Sequence, residues 1–83
     1  MIDLNRLKAE ADETEKRRRM AARRVTWLEQ QLYQCTTGAD FDAKNAELEE
    51  AMKVTQLYGL QALKARLAYT NADIQARYGA ATT

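Results

Sequence analysis

The sequence predicts an all-α fold: a two-helix antiparallel hairpin, with helix 1 over about residues 3–35 and helix 2 over about 41–78, dimerising into a four-helix bundle. Three observations carry this. There is no proline and there are only three glycines, Gly38, Gly59 and Gly79, so the one obvious break for a long helix lies near position 38. Apolar residues recur at alternating three- and four-residue spacing on both sides of that break. Helix 2 carries two such rows, more apolar surface than a single neighbour covers.

Helix 1 begins at Asp3, a good N-cap residue, and its row runs Leu4, Leu7, Ala11, Thr14, Arg18, Ala21, Val25, Leu28, Leu32 and Cys35. Its outer positions place acids four residues before bases, Asp12 with Lys16, Glu13 with Arg17 and Glu15 with Arg19. Each such pair supports a helix by about 0.2–0.5 kcal/mol without implying a function.

Thr36, Thr37, Gly38 and Ala39 interrupt the pattern, and Gly38 suits the left-handed conformation that ends a helix. Asp40 or Asp42 then caps helix 2, Phe41 acts as a hydrophobic staple, and Glu47, Glu49 and Glu50 lie toward the positive end of the helix dipole. The first row of helix 2 is Leu48, Ala51, Thr55, Tyr58, Ala62, Ala65, Tyr69, Ala72 and Ala76; the second is Leu57, Leu60, Leu67, Ile74 and Tyr78. Gly59 costs about 1 kcal/mol relative to alanine in a helix interior, an expense that a close helix approach would explain. Gly79 provides the stop, leaving Ala80 to Thr83 as a frayed tail.

A turn this short makes the helices antiparallel, with residues near 24 opposite 51 and residues near 20 opposite 55. Charge agrees with that register. Residues 16–24 hold six bases and no acid, whereas 40–50 carry a net −4, so Arg23 and Arg24 are expected to meet Glu47 or Glu50 across the hairpin.

Length and composition bound the function. Residues 1–83 read as one helical-hairpin domain, small enough for association to supplement its core. A net charge of +1 lacks the field of a dedicated nucleic-acid binder. Cys35 has no partner for an internal disulfide, the first residues lack a secretory pattern, and no apolar run reaches the roughly 20 residues that span a bilayer, so a cytoplasmic setting is expected. With no histidine, no phosphate-binding glycine loop and no ligand cluster, no catalytic residue, metal or cofactor is expected, and two antiparallel helices offer no deep cleft for a small-molecule substrate.

Two surfaces remain. Met20, Arg23, Arg24 and Trp27, with Arg17 and Arg19, form the candidate partner-binding set, because tryptophan and arginine serve as interface anchors. Leu57, Leu60, Leu67 and Ile74, with Tyr58 and Tyr69, form the candidate dimer interface. Arg18 falls on the core row, from which its guanidinium would stack on Tyr58 or reach an acid on a second chain. The function expected is a protein–protein interaction module: a homodimeric regulator or inhibitor that occludes a larger bacterial or viral protein through a rigid helix face, an acidic partner being one reading of the basic cluster. The alternatives are a nucleic-acid-associated factor led by the basic cluster, which predicts salt-sensitive binding, and a structural assembly subunit, which predicts higher-order oligomers.

Overall fold

The two apolar rows of the sequence meet as one seam in the computed structural model, which describes residues 3–79. Helix α1 spans Leu4–Gln34 and helix α2 spans Gly38–Tyr78, and the two pack against each other along their length, with no strand among the described residues. The tail expected at Ala80 to Thr83 lies outside the described residues.

Each end of α1 is closed locally. The Asp3 carboxylate accepts from the Arg6 N–H at 3.1 Å, and the Cys35 N–H donates to the Leu32 carbonyl at 3.2 Å. Helix α2 begins at Gly38, a few residues earlier than expected, because the Thr37 hydroxyl accepts from the Asp40 N–H at 3.1 Å and is the N-cap. Asp40 is therefore the acid of the first turn and not the cap. Gly38 has no positive φ; it is the first residue of α2 and does not terminate α1. Gly79 is likewise right-handed, its N–H donating to the Gln75 carbonyl. Phe41 stays 47% exposed at the start of α2.

Packing follows the predicted seam. Every described member of the α1 row is buried or half-buried, as is the α2 row from Leu48 to Ala72. Leu28, Leu48 and Ala51, with Val25 and Leu32 against them, form a core near the connecting turn. Farther along, only Ala62 and Ala72 are buried, so the interface thins to alanine there. The seam threonines are satisfied on their own helix: Thr14 Oγ1 donates to the Glu10 and Ala11 carbonyls, and Thr55 Oγ1 to the Ala51 carbonyl at 2.8 Å. The Cys35 thiol, half-buried at the turn, donates to the Gln31 carbonyl at 3.3 Å.

The register also matches. Met20, Ala21 and Arg24 share a cleft with Ala51 and Val54, and Lys8 shares another with Tyr69. Extended to Leu4, this register sets the start of α1 near residue 72, so the last turns of α2 run past α1 and leave Ala76 exposed. The outcome is a rod of 66 × 16 × 16 Å with a radius of gyration of 19.0 Å, against about 12 Å for a compact domain of this length.

Gly59 does not mark a close approach. A Cβ placed there meets nothing within 4 Å, because the residue sits beside the seam at the edge of an open cleft. Gly59→Ala is therefore expected to stabilise the hairpin by about 1 kcal/mol, raising the melting temperature by roughly 4–8 °C in a domain of this size. A fall in melting temperature by calorimetry would mean that something fills that space.

Candidate partner-binding surfaces

Side chains of α2 divide into one side against α1 and one side away from it. Leu48, Ala51, Ala62 and Ala72 face α1 and are buried. Leu60, Leu67 and Ile74 recur every seventh residue on the opposite side, at 57%, 50% and 50% exposure, with Leu57 and Tyr78 beside them at about 60%. The apolar character of α1 is one-sided, whereas that of α2 is spread around its circumference. Tyr58 and Tyr69 are separate from this outer row. They lie half-buried on the seam to α1, each lining an inter-helix cleft, so the six residues expected at a dimer interface fall on two sides of α2.

The arginine-rich set is split as well. Arg17, Met20 and Arg24 line an open cleft of about 470 Å³ between the helices, with Ala21, Ala51, Val54 and Tyr58 and a rim formed by Glu47 and Glu50. Arg19 and Arg23 line a separate hollow on the outside of α1 with Asp12, Glu15 and Lys16, and Met20 borders both. Trp27 joins the first group through α2: Lys44 Nζ stands 5.5 Å from its ring centroid and 3.6 Å from the Glu47 carboxylate. One face of the hairpin thus carries Trp27, Lys44, Glu47 and the cleft. Val54, Lys44, Glu47 and Glu50 are members of this surface that the α1 sequence pattern did not point to; the predicted register, which brings residues near 24 to residues near 51, was the signal for them.

Ion pairs within α1 use much of its basic run. Arg17 Nε lies 3.5 Å from Glu13, Arg19 Nε lies 3.3 Å from Glu15, and Arg18 binds both oxygens of Glu15. Arg18 therefore neither stacks on Tyr58 nor points outward as expected; its nearest acid, one turn away, holds it. Among the described residues no ion pair joins the two helices, so the expected contacts of Arg23 and Arg24 with Glu47 or Glu50 do not form, although Arg24 borders the same cleft as both acids. Exposed long side chains gain little from a particular partner, and a neighbour one turn away costs less side-chain entropy to reach. With three of six bases engaged, the stretch is a weaker phosphate-binding feature than its composition implies.

The hydrogen bonds from Arg18 hold the Glu15 carboxyl far below the usual carboxylate range, at about 2; partial burial opposes the shift, and the Arg18 and Arg19 charges add to it. Because the folded value is depressed, the pair's contribution is complete above the unfolded value near 4.5 and is lost as pH falls through about 2. In an NMR titration Glu15 is expected to protonate near pH 2, and Arg18→Gln to raise its midpoint. A native Glu15 midpoint within the ordinary carboxylate range would contradict the pairing.

No protein-family model matches the chain, and comparison with curated proteins and with solved structures finds no match. The physical surfaces therefore carry the functional reading. Among the described residues no group of three or more His, Cys, Asp or Glu side chains is arranged to hold a metal ion. No described helix is long and apolar enough to cross a membrane.

Proposed function

We propose that the chain is a small non-enzymatic protein–protein interaction module: a homodimeric regulator or inhibitor that occludes a larger protein with a rigid helix face. The observation that carries this reading is the outer row of α2, with Leu57, Leu60, Leu67, Ile74 and Tyr78 each half or more exposed. Isolated apolar residues on a surface are ordinary, but five that recur along one side of a helix are not. Total exposed area supports the same reading. The chain exposes 6696 Å², about a third more than the roughly 5,000 Å² expected of a compact 9.5 kDa monomer. A standard interface covers about 800 Å² per partner, so the surplus is large enough for two contacts.

The two contacts have different chemistry. The outer row of α2 is apolar and suits a copy of itself. The Trp27 face is mixed: Met20 and Trp27 are 60% and 48% exposed, and Arg17, Arg24, Glu47 and Glu50 surround the cleft. Aromatic anchors within a charged rim are typical of surfaces that bind a different protein.

The test is site-specific photo-crosslinking in the native cell, with a benzophenone side chain at position 20 and, separately, at position 67. The expected products are an adduct with a larger protein from position 20 and a chain-to-chain adduct from position 67. Trp27→Ala is expected to reduce the first adduct severalfold while leaving helicity by circular dichroism nearly unchanged. Self-adducts alone at both positions would leave a structural assembly and remove the regulatory role.

A further inference from the structure

The outer row of α2 contains two polar gaps, and they fall in register. Filling them completes a second heptad seam: Leu57, Leu60, Lys64, Leu67, Asn71, Ile74 and Tyr78, at alternating spacings of three and four, with Lys64 and Asn71 both exposed. We propose that a second copy of this chain docks on that seam as a parallel, in-register coiled coil of α2 on α2, aligned by Asn71. The inference rests on the proposed interaction module being homodimeric and adds the orientation and the aligning residue.

Asn71 decides the occupant and its direction. A carboxamide carries both donors and an acceptor, so two symmetry-related copies at one level satisfy each other. Leu60, Leu67 and Ile74 occupy one set of core positions, and Leu57, Lys64, Asn71 and Tyr78 the other. In a parallel pair each residue meets its own copy, and Asn71 meets Asn71. In an antiparallel pair the two sets face each other, which puts Asn71 against Leu60 or Leu67 and leaves a buried amide without a partner. Lys64 extends its stem along the seam and keeps its ammonium in water.

Position and length fit as well. The seam is on the side of α2 away from α1, so the assembly is a row, α1–α2–α2–α1, in place of a bundle in which all four helices share one core. Residues 57–78 give about 32 Å of contact, short for a free coiled coil. Here α1 already holds α2 as a helix, so association orders little additional backbone. Of the flanking positions, Gln56, Leu63, Thr70, Gln61, Ala68 and Gln75 carry no charge and Arg77 carries one, so no like-charge row opposes a copy of the chain along the flanks.

Single cysteines at Leu57 and Tyr78, introduced on a Cys35→Ser background, read the orientation. In a parallel pair each position faces itself; in an antiparallel pair Leu57 faces Ile74 when Asn71 meets Leu60, or Tyr78 faces Leu60 when Asn71 meets Leu67, and like positions lie roughly 25 Å or more apart. L57C and Y78C, each oxidised alone, are expected to form disulfide dimers at least tenfold faster than Y33C, a control at a 92% exposed site on α1. Circular dichroism checks that each variant is helical. If L57C joins only to I74C, or Y78C only to L60C, in a mixture, the chain still dimerises through α2 but the parallel alignment is wrong. If neither variant exceeds the Y33C rate, alone or mixed, α2 does not self-associate and the homodimer fails with it.

Discussion

Replacing Leu28 with alanine is expected to destabilise the hairpin by about 3 kcal/mol. Leu28 is 0% exposed and is the only large side chain fully buried among the described residues. It contacts Leu48 and Ala51 with Val25 and Leu32 alongside, where the seam is thickest. A single core of this size rarely supplies more than about 3–5 kcal/mol, so the substitution removes most of what the isolated hairpin has. Leu7→Ala, at a half-buried site toward the thin end of the seam, is the control and is expected to cost less than half as much. Urea unfolding followed by circular dichroism at one protein concentration compares them. Equal midpoint shifts would mean that stability is not concentrated near the turn.

Leu67→Asp is expected to weaken self-association at least a hundredfold while leaving the hairpin folded. Leu67 is 50% exposed in the single chain, and covering its free half contributes about 1 kcal/mol from each copy. Placing two carboxylates at one level of a dry seam adds desolvation and repulsion to that loss. Two factors of ten correspond to about 2.8 kcal/mol, which the sum exceeds. Because the residue points away from α1, thermal unfolding of the dissociated chain is expected to remain cooperative. Sedimentation equilibrium of native and variant chains checks the first part, and loss of helicity in the variant would contradict the second.

The seam between the helices and the exposed outer row of α2 were legible in the sequence because a spacing of three and four leaves little freedom to a helix without proline. The register was legible because a short turn permits only one. The start of α2 was not, since Thr37, Asp40 and Asp42 are all competent caps and only the backbone at Thr37, extended at φ −124°, selects among them. Gly59 was misread because composition does not distinguish a position on the seam from one beside it. The arginine cluster lost its unity for a geometric reason. Successive helical residues are 100° apart, so Arg17 lines one inter-helix cleft, Arg18 a second, and Arg19 the edge of that second cleft and the outer hollow. The cleft itself needed both helices at once: Met20 and Arg24 come from one, Glu47, Glu50 and Val54 from the other.

The central claim is that the outer side of α2 is covered when the protein works. Its most direct test is the mass of the native chain in solution, by light scattering over a hundredfold dilution. The expected result is a species of about 19 kDa, twice the 9.5 kDa of one chain, that dissociates on dilution. A single 9.5 kDa species at every concentration, with no binding of an apolar dye, would contradict the claim.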